Sequence, residues 1–202
     1  MREEIRQRFA SNLDRVRNLV AIYRASGGAG RGRRPVGATD ILRSATVLLH
    51  ASLEDVFRSI AIWKFPTAAE NVLNDIPLVG LSETGRAEKF FLGKLAQHRV
   101  RRVLDLIDES VRAYANTFTV NSTGDIATFA GKVGVNVAEV NGDFPTLRDL
   151  FERRHHIVHQ ADRNDEPGQG HHAARSLSVW QVNAWVDAVN RSGTIFIDRV
   201  PG

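Results

Sequence analysis

The residues best equipped for chemistry lie in "RDLFERRHHIVHQADRND", residues 148–165, and above all in "RHHIVH", Arg154 to His159. Three of the chain's seven histidines crowd into these six positions, directly behind Arg153. A helix turns by about 100° per residue, so His155 and His159 share one face, one turn apart. Arg154, offset from His159 by about 140° on the same wheel, flanks that face. Arg163, four residues beyond His159, continues the stripe, and Ile157 with Val158 is expected to anchor the helix and aim the charged groups outward.

Three chemistries compete for this set. Zinc is suggested by the two-histidine spacing of a metalloprotease helix, but His156 stands where that motif needs its glutamate base. A third ligand would have to come from His171, His172 or a loop acid, and Arg153 and Arg154 would oppose the cation. No metal or other cofactor is therefore expected. Nucleophilic catalysis lacks a nucleophile: there is no cysteine and no Gly-x-Ser-x-Gly elbow. Phosphodiester chemistry on RNA needs less. An imidazole can take the proton of a 2′-OH or give one to the departing 5′ oxygen. A guanidinium matches phosphate oxygens and stabilises the charge of a pentacoordinate transition state. Arg154 and His159 supply that minimum. On spacing alone, a basic, solvated helix face without activity accounts for the same residues.

Other features bound the setting. The 202 residues suffice for one well-cored domain, expected to span 1–202. No apolar run approaches the ~20 residues that cross a bilayer, so no membrane partner is expected. The start, "MREEIRQRF", is charged from its second residue, which argues against a secretory signal. With no cysteine there is no disulfide scaffold and no thiolate zinc site, in keeping with a cytoplasmic location. The net charge of +4 is modest, but the basic residues are clustered, as phosphate binding requires.

The elements that position the motif read as helices throughout. Residues 2–25 place Ile5, Phe9, Leu13, Val16, Leu19, Val20 and Tyr23 at helical spacing. A Gly/Arg-rich loop follows at 26–37, whose Arg31, Arg33 and Arg34 are either solubilising charge or a phosphate-contacting arm. Thr39 or Asp40 is expected to cap a central buried helix carrying Leu42, Leu49, Leu53, Val56, Phe57 and Ile60. Residues 64–85 are a broken connection, with room for a short helix. A long helix over 86–116 carries Phe90, Leu95, Val103, Leu104, Ile107 and Val111, with Lys94, His98, Arg99, Arg101 and Arg102 on its other face. Ser122 or Thr123 caps a shorter helix that Gly134 ends. The "VNVAEV" beyond it is too short and acidic for a recognition helix. The motif helix spans about 146–163, and a last helix about 176–191. The tail "GTIFIDRVPG" either adds a short strand or lies against the rest. Strands and helices nowhere alternate, so the expected fold is an all-α, up-and-down bundle of about five or six helices.

Against this background "RHHIVHQADRN" resembles the signature of the HEPN superfamily: an arginine, a polar residue and a histidine a few positions on, preceded by an apolar pair. Arg154, His155 and His159 fit it with four intervening residues. "ATVLLHASLEDVFRSI", residues 45–60, is similar to the apolar helix that precedes the signature by about a hundred residues, and the long spacer is most like the RiboL-PSP-HEPN branch. The resemblance covers most of residues 1–190. It implies a metal-independent endoribonuclease acting by 2′-OH transesterification, of the kind found among toxins and phage-defence or stress effectors. It assigns catalysis to Arg154 and His159 and an auxiliary polar role to His155. Arg153, Arg163, Arg31, Arg33 and Arg34 become substrate contacts, and Glu54 could orient a motif side chain. The implied partners are RNA, a second copy docked through the motif helix, and an antitoxin or defence-system protein. The alternative is a HEPN-type module that binds RNA or protein, dimerises and has lost activity. His50 is expected to be a satisfied core residue, and Trp63, Trp180 and Trp185 core or interface aromatics, with base stacking the other use for them.

Overall fold

The computed structural model describes residues 1–28, 36–79, 93, 96, 98–164 and 174–202. Arg31, Arg33, Arg34, Phe90, Lys94, Leu95, His171 and His172 lie outside them. Seven α-helices run through the described residues: α1 Arg2–Tyr23, α2 Val36–Lys64, α3 Glu70–Leu73, α4 Val103–Thr117, α5 Thr123–Val133, α6 Phe144–Gln160 and α7 Val179–Arg199. The extended pairing among these residues is one isolated bridge, Arg163 to Ala174. The fold is an all-α helical bundle, as the apolar periodicity requires.

Two compact units divide the chain. The first combines Met1–Val56 with Val120–Gly202 and holds α1, most of α2, α5, α6 and α7. Here α1 and α7 lie antiparallel. Arg6 reaches Asp198 at 2.7 Å and the Arg2 guanidinium donates to the Val200 carbonyl, while Phe9 meets Gly193 further along. A Cβ on Gly193 would stand 2.4 Å from the Phe9 ring, so only glycine admits this approach. α6 and α7 are also antiparallel, with Arg191 bound to Asp143 and Trp185 to Asp149. The core is filled by Leu13, Val16, Leu49, Leu53, Ile126, Leu147, Leu150, Val189 and Phe196. The second unit, Phe57–Thr119, contains the end of α2, α3 and α4. Within it Tyr114 lies between the rings of Phe65 and Phe118, and Arg58 donates to the Phe118 carbonyl at 2.8 Å.

Local signals gave several boundaries correctly. Ser122 and Asp125 form a reciprocal capping box on α5, and Gly134, at φ 73°, ends it. "VNVAEV" makes only one short 3₁₀ turn, Val137–Glu139. Other expectations are corrected. Thr39 and Asp40 do not cap α2, which starts at Val36; they lie within its first turns and bind Arg43 instead. Of the helix expected over 86–116, most of 86–97 lies outside the described residues; α4 begins at Val103 after an extended Arg102 (ψ 141°), Val103 and Leu104 are exposed, and burial falls to Leu106 and Val111. The tail is neither strand nor appendage. α7 continues to Arg199, since Phe196 and Ile197 bury their side chains there and packing overrides local preference.

Candidate functional site

α6 opens with Pro145 in its first turn, where the missing N–H costs nothing. Its inner face is Leu147, Leu150 and Phe151. Ile157 and Val158 are not the anchors expected: Ile157 is half-buried and Val158 is 46% exposed. The apolar anchorage of the helix lies in the two turns before the motif, and the motif's own end is held by polar contacts.

His155 and His159 are both exposed, with ring centroids 4.7 Å apart and planes tilted by 43°. Neither forms a hydrogen bond or ion pair among the described residues. His156 is turned away, its ring perpendicular to His155 and its Nδ1 2.6 Å from Gln160 Oε1. Arg154 is half-buried, and its Nε is fully enclosed without a partner among the described residues. No carboxylate there neutralises it. An enclosed Nε does not by itself distinguish Arg154, since six other buried polar atoms among the described residues share that state; the missing counter-charge does.

Arg153 differs in its charge pairing, although its Nε is likewise enclosed without a partner among the described residues. Its Nη2 donates to Asp162 Oδ2 (2.8 Å) and to the carbonyls of Arg175 and Ser176 (both 3.0 Å). Asp162 is completely buried and also accepts from Arg43 Nε at 2.7 Å. Arg43 in turn donates to Thr39 Oγ1 (2.7 Å), Asp40 Oδ1 (3.1 Å) and the Arg175 carbonyl (2.8 Å). Burial lowers the Arg153 pKa; Asp162 opposes that shift, while the charges of Arg43 and Arg175 add to it. Arg153 is thus engaged inside the protein, not in the solvent-facing phosphate contact expected of it.

The same network holds an unusual helix end. Ala161 and Asp162 both take positive φ, 49° and 54°, and both donate their N–H groups to the His156 carbonyl. Left-handed backbone costs a non-glycine residue roughly 1–2 kcal/mol, so two in succession need outside support. Asp162 supplies it, anchored by two arginines. Because the helix stops at Gln160, Arg163 is not on the helical stripe; it is exposed and pairs by backbone with Ala174.

His50 is the core histidine expected. It is buried, its Nε2 lies 2.8 Å from the Val120 carbonyl, and its ring edge meets Phe151 of α6. Glu54 accepts the Val120 N–H at 3.1 Å, tying α2 to the segment before α5. Among the described residues no three His, Asp or Glu side chains gather as a metal site.

Sequence reasoning missed Asp162, Arg43 and Asp149. Asp162 sits three residues past His159, and an acid so close behind a basic run is a usable signal; Arg43, 119 positions away, left none. Comparison with protein-family models, curated proteins and solved structures finds no match to this chain.

Proposed function

We propose that the protein is a metal-independent endoribonuclease that uses Arg154 and His159, aided by His155. The 2′ oxygen of a ribose attacks the adjacent phosphorus while an imidazole takes its proton. The bond from phosphorus to the 5′ oxygen breaks and that oxygen is protonated, leaving a 2′,3′-cyclic phosphate and a 5′-OH. Arg154 stabilises the extra negative charge on the phosphorane. The observation that carries the reading is the contrast along α6: Arg153 is neutralised internally, whereas Arg154, among the described residues, lacks an anion beside two exposed imidazoles 4.7 Å apart.

One helix offers one such guanidinium, so a second copy facing it across a twofold axis would bring two arginines and four imidazoles to one phosphate. The resemblance favours this homodimer, acting in the cytoplasm as a toxin or defence effector under a partner protein's control. The test is incubation of the purified protein with total RNA in EDTA. Cleavage to cyclic-phosphate ends, lost by at least a hundredfold in Arg154→Ala and His159→Ala, is the expected result. Undiminished cleavage in both variants overturns the assignment. RNA binding without cleavage, unchanged by either substitution, would instead make the chain a binding module.

A further inference from the structure

Asp149 and Trp185 define a second feature of α6 that the catalytic reading does not use. A groove of about 270 Å³ lies between α6 and α7, lined by Pro145, Thr146, Asp149, Trp180, Gln181 and Trp185. Trp185 forms its floor and is buried, whereas Trp180 at the rim is 80% exposed. The Asp149 carboxylate is fixed in place: its Oδ2 accepts from Trp185 Nε1 at 2.9 Å and from Gln181 Nε2 at 3.1 Å. Its Oδ1 has no partner among the described residues. The groove therefore presents an exposed indole face beside an oriented, half-satisfied carboxylate.

We propose that this groove is a base-recognition subsite that takes an unpaired guanine of the RNA strand, a proposal resting on the ribonuclease reading above. A planar ring stacks on Trp180, as single-stranded bases do on exposed aromatic side chains. Guanine offers N1–H and N2–H side by side, two donors for the free Oδ1 and its two lone pairs. Adenine and cytosine place an acceptor next to their amino group, and uracil flanks its one N–H with carbonyls, so a carboxylate disfavours all three.

A cationic side chain of a protein partner would also suit an indole and a carboxylate. The surroundings favour RNA. Arg148, next to Asp149, is exposed and has no ion-pair partner among the described residues. It lies seven residues before His155, hence within about 20° of the same helical face, where it repels a cation and attracts a phosphate. Asp149 and His155 are six residues apart, about 9 Å along the axis and about 120° around it, a separation that a strand of about two or three nucleotides curving round α6 covers. A strand crossing Arg148, His155 and His159 can therefore place a neighbouring base in the groove.

The test measures binding of 5′-GMP, 5′-AMP and 5′-UMP by calorimetry, together with mapping of cut sites in a mixed-sequence RNA. GMP should bind at least tenfold tighter than UMP, and Trp180→Ala should remove about tenfold of that affinity while Trp180→Phe keeps most of it. Asp149→Asn should level the three nucleotides. In cleavage, Trp180→Ala should raise KM about tenfold, move kcat far less and erase the guanine bias beside the cut. Equal binding of GMP and UMP, or no response to Trp180→Ala, overturns the proposal. So does preferential binding of an N-acetyl-arginine amide probe over GMP. Trp180 is exposed, so its replacement leaves the core intact and remains decisive even if Asp149→Asn loosens Trp185. GMP selectivity in a chain that never cleaves RNA would sink the catalytic reading and keep the subsite. Cleavage lost in His159→Ala but indifferent to Trp180 and Asp149 would do the reverse.

Discussion

Arg153 and Arg154 are neighbours of identical type whose environments differ in kind. A helix sends consecutive residues about 100° apart, so one meets Asp162 and the other does not. Which of them is neutralised depends on how a residue nine positions later folds back past the helix end; the nearby acid signals a partner but not which arginine it takes. His155 and His159 were legible because their relation is purely helical; the choice of Arg153 was not, because it depends on the left-handed turn after α6 and on Arg43, 119 positions from Asp162. The buried acid between two arginines leads to a prediction at this scale. Asp162→Ala leaves the Arg153 guanidinium without an anion and Arg43 with only the exposed Asp40, and should cost about 3–5 kcal/mol, as breaking buried pairs does. Urea unfolding followed by circular dichroism measures it, and a loss below about 1 kcal/mol would show that the clamp contributes little.

At the scale of the element, α5 shows what short-range chemistry can specify, and α7 what it cannot. The Ser122 box and the left-handed Gly134 are encoded within a few residues of each boundary. The continuation of α7 through "SGTIFID" depends on Phe9, almost the whole chain away, which needs Gly193 for its ring. α6 ends for a third reason, a strained pair of residues held by a distant network. Two exchanges of opposite sign follow. Ala161→Gly relieves a left-handed alanine and should stabilise the protein by about 0.5–1 kcal/mol. Gly193→Ala drives a methyl into the Phe9 ring and should destabilise it by about 1–3 kcal/mol. Midpoints of thermal unfolding, moving up for the first and down for the second, check both; the reverse order would contradict the backbone and packing described.

At the scale of the whole molecule, the all-α class was readable from apolar periodicity, whereas the division into Met1–Val56 with Val120–Gly202 and a separate Phe57–Thr119 was not. A continuous α2 serves both units, so no composition change marks the boundary inside it. Among the described residues no helix is long and apolar enough to cross a membrane. The proposed twofold site makes a prediction that only the assembly can answer. If Arg154 of one copy serves the same phosphate as His159 of the other, mixing and re-equilibrating Arg154→Ala with His159→Ala should recover a measurable fraction of cleavage. Each mixed dimer keeps one intact guanidinium and one intact imidazole pair. Recovery of less than about 1% after subunit exchange would mean that each copy works alone or not at all.

The closure beyond α6 has a use of a different sort. Arg163 pairs with Ala174, and the Arg175 N–H donates to the Asp162 carbonyl at 2.9 Å, so positions 163 and 174 are brought together by contacts outside the intervening segment. Chain joining two points already held together can be lengthened cheaply, at about 0.6 kcal/mol per doubling. Lengthening the chain between Arg163 and Ala174 should therefore leave α6 in place, since its anchorage is made by Asp162, Arg163, Ala174 and Arg175.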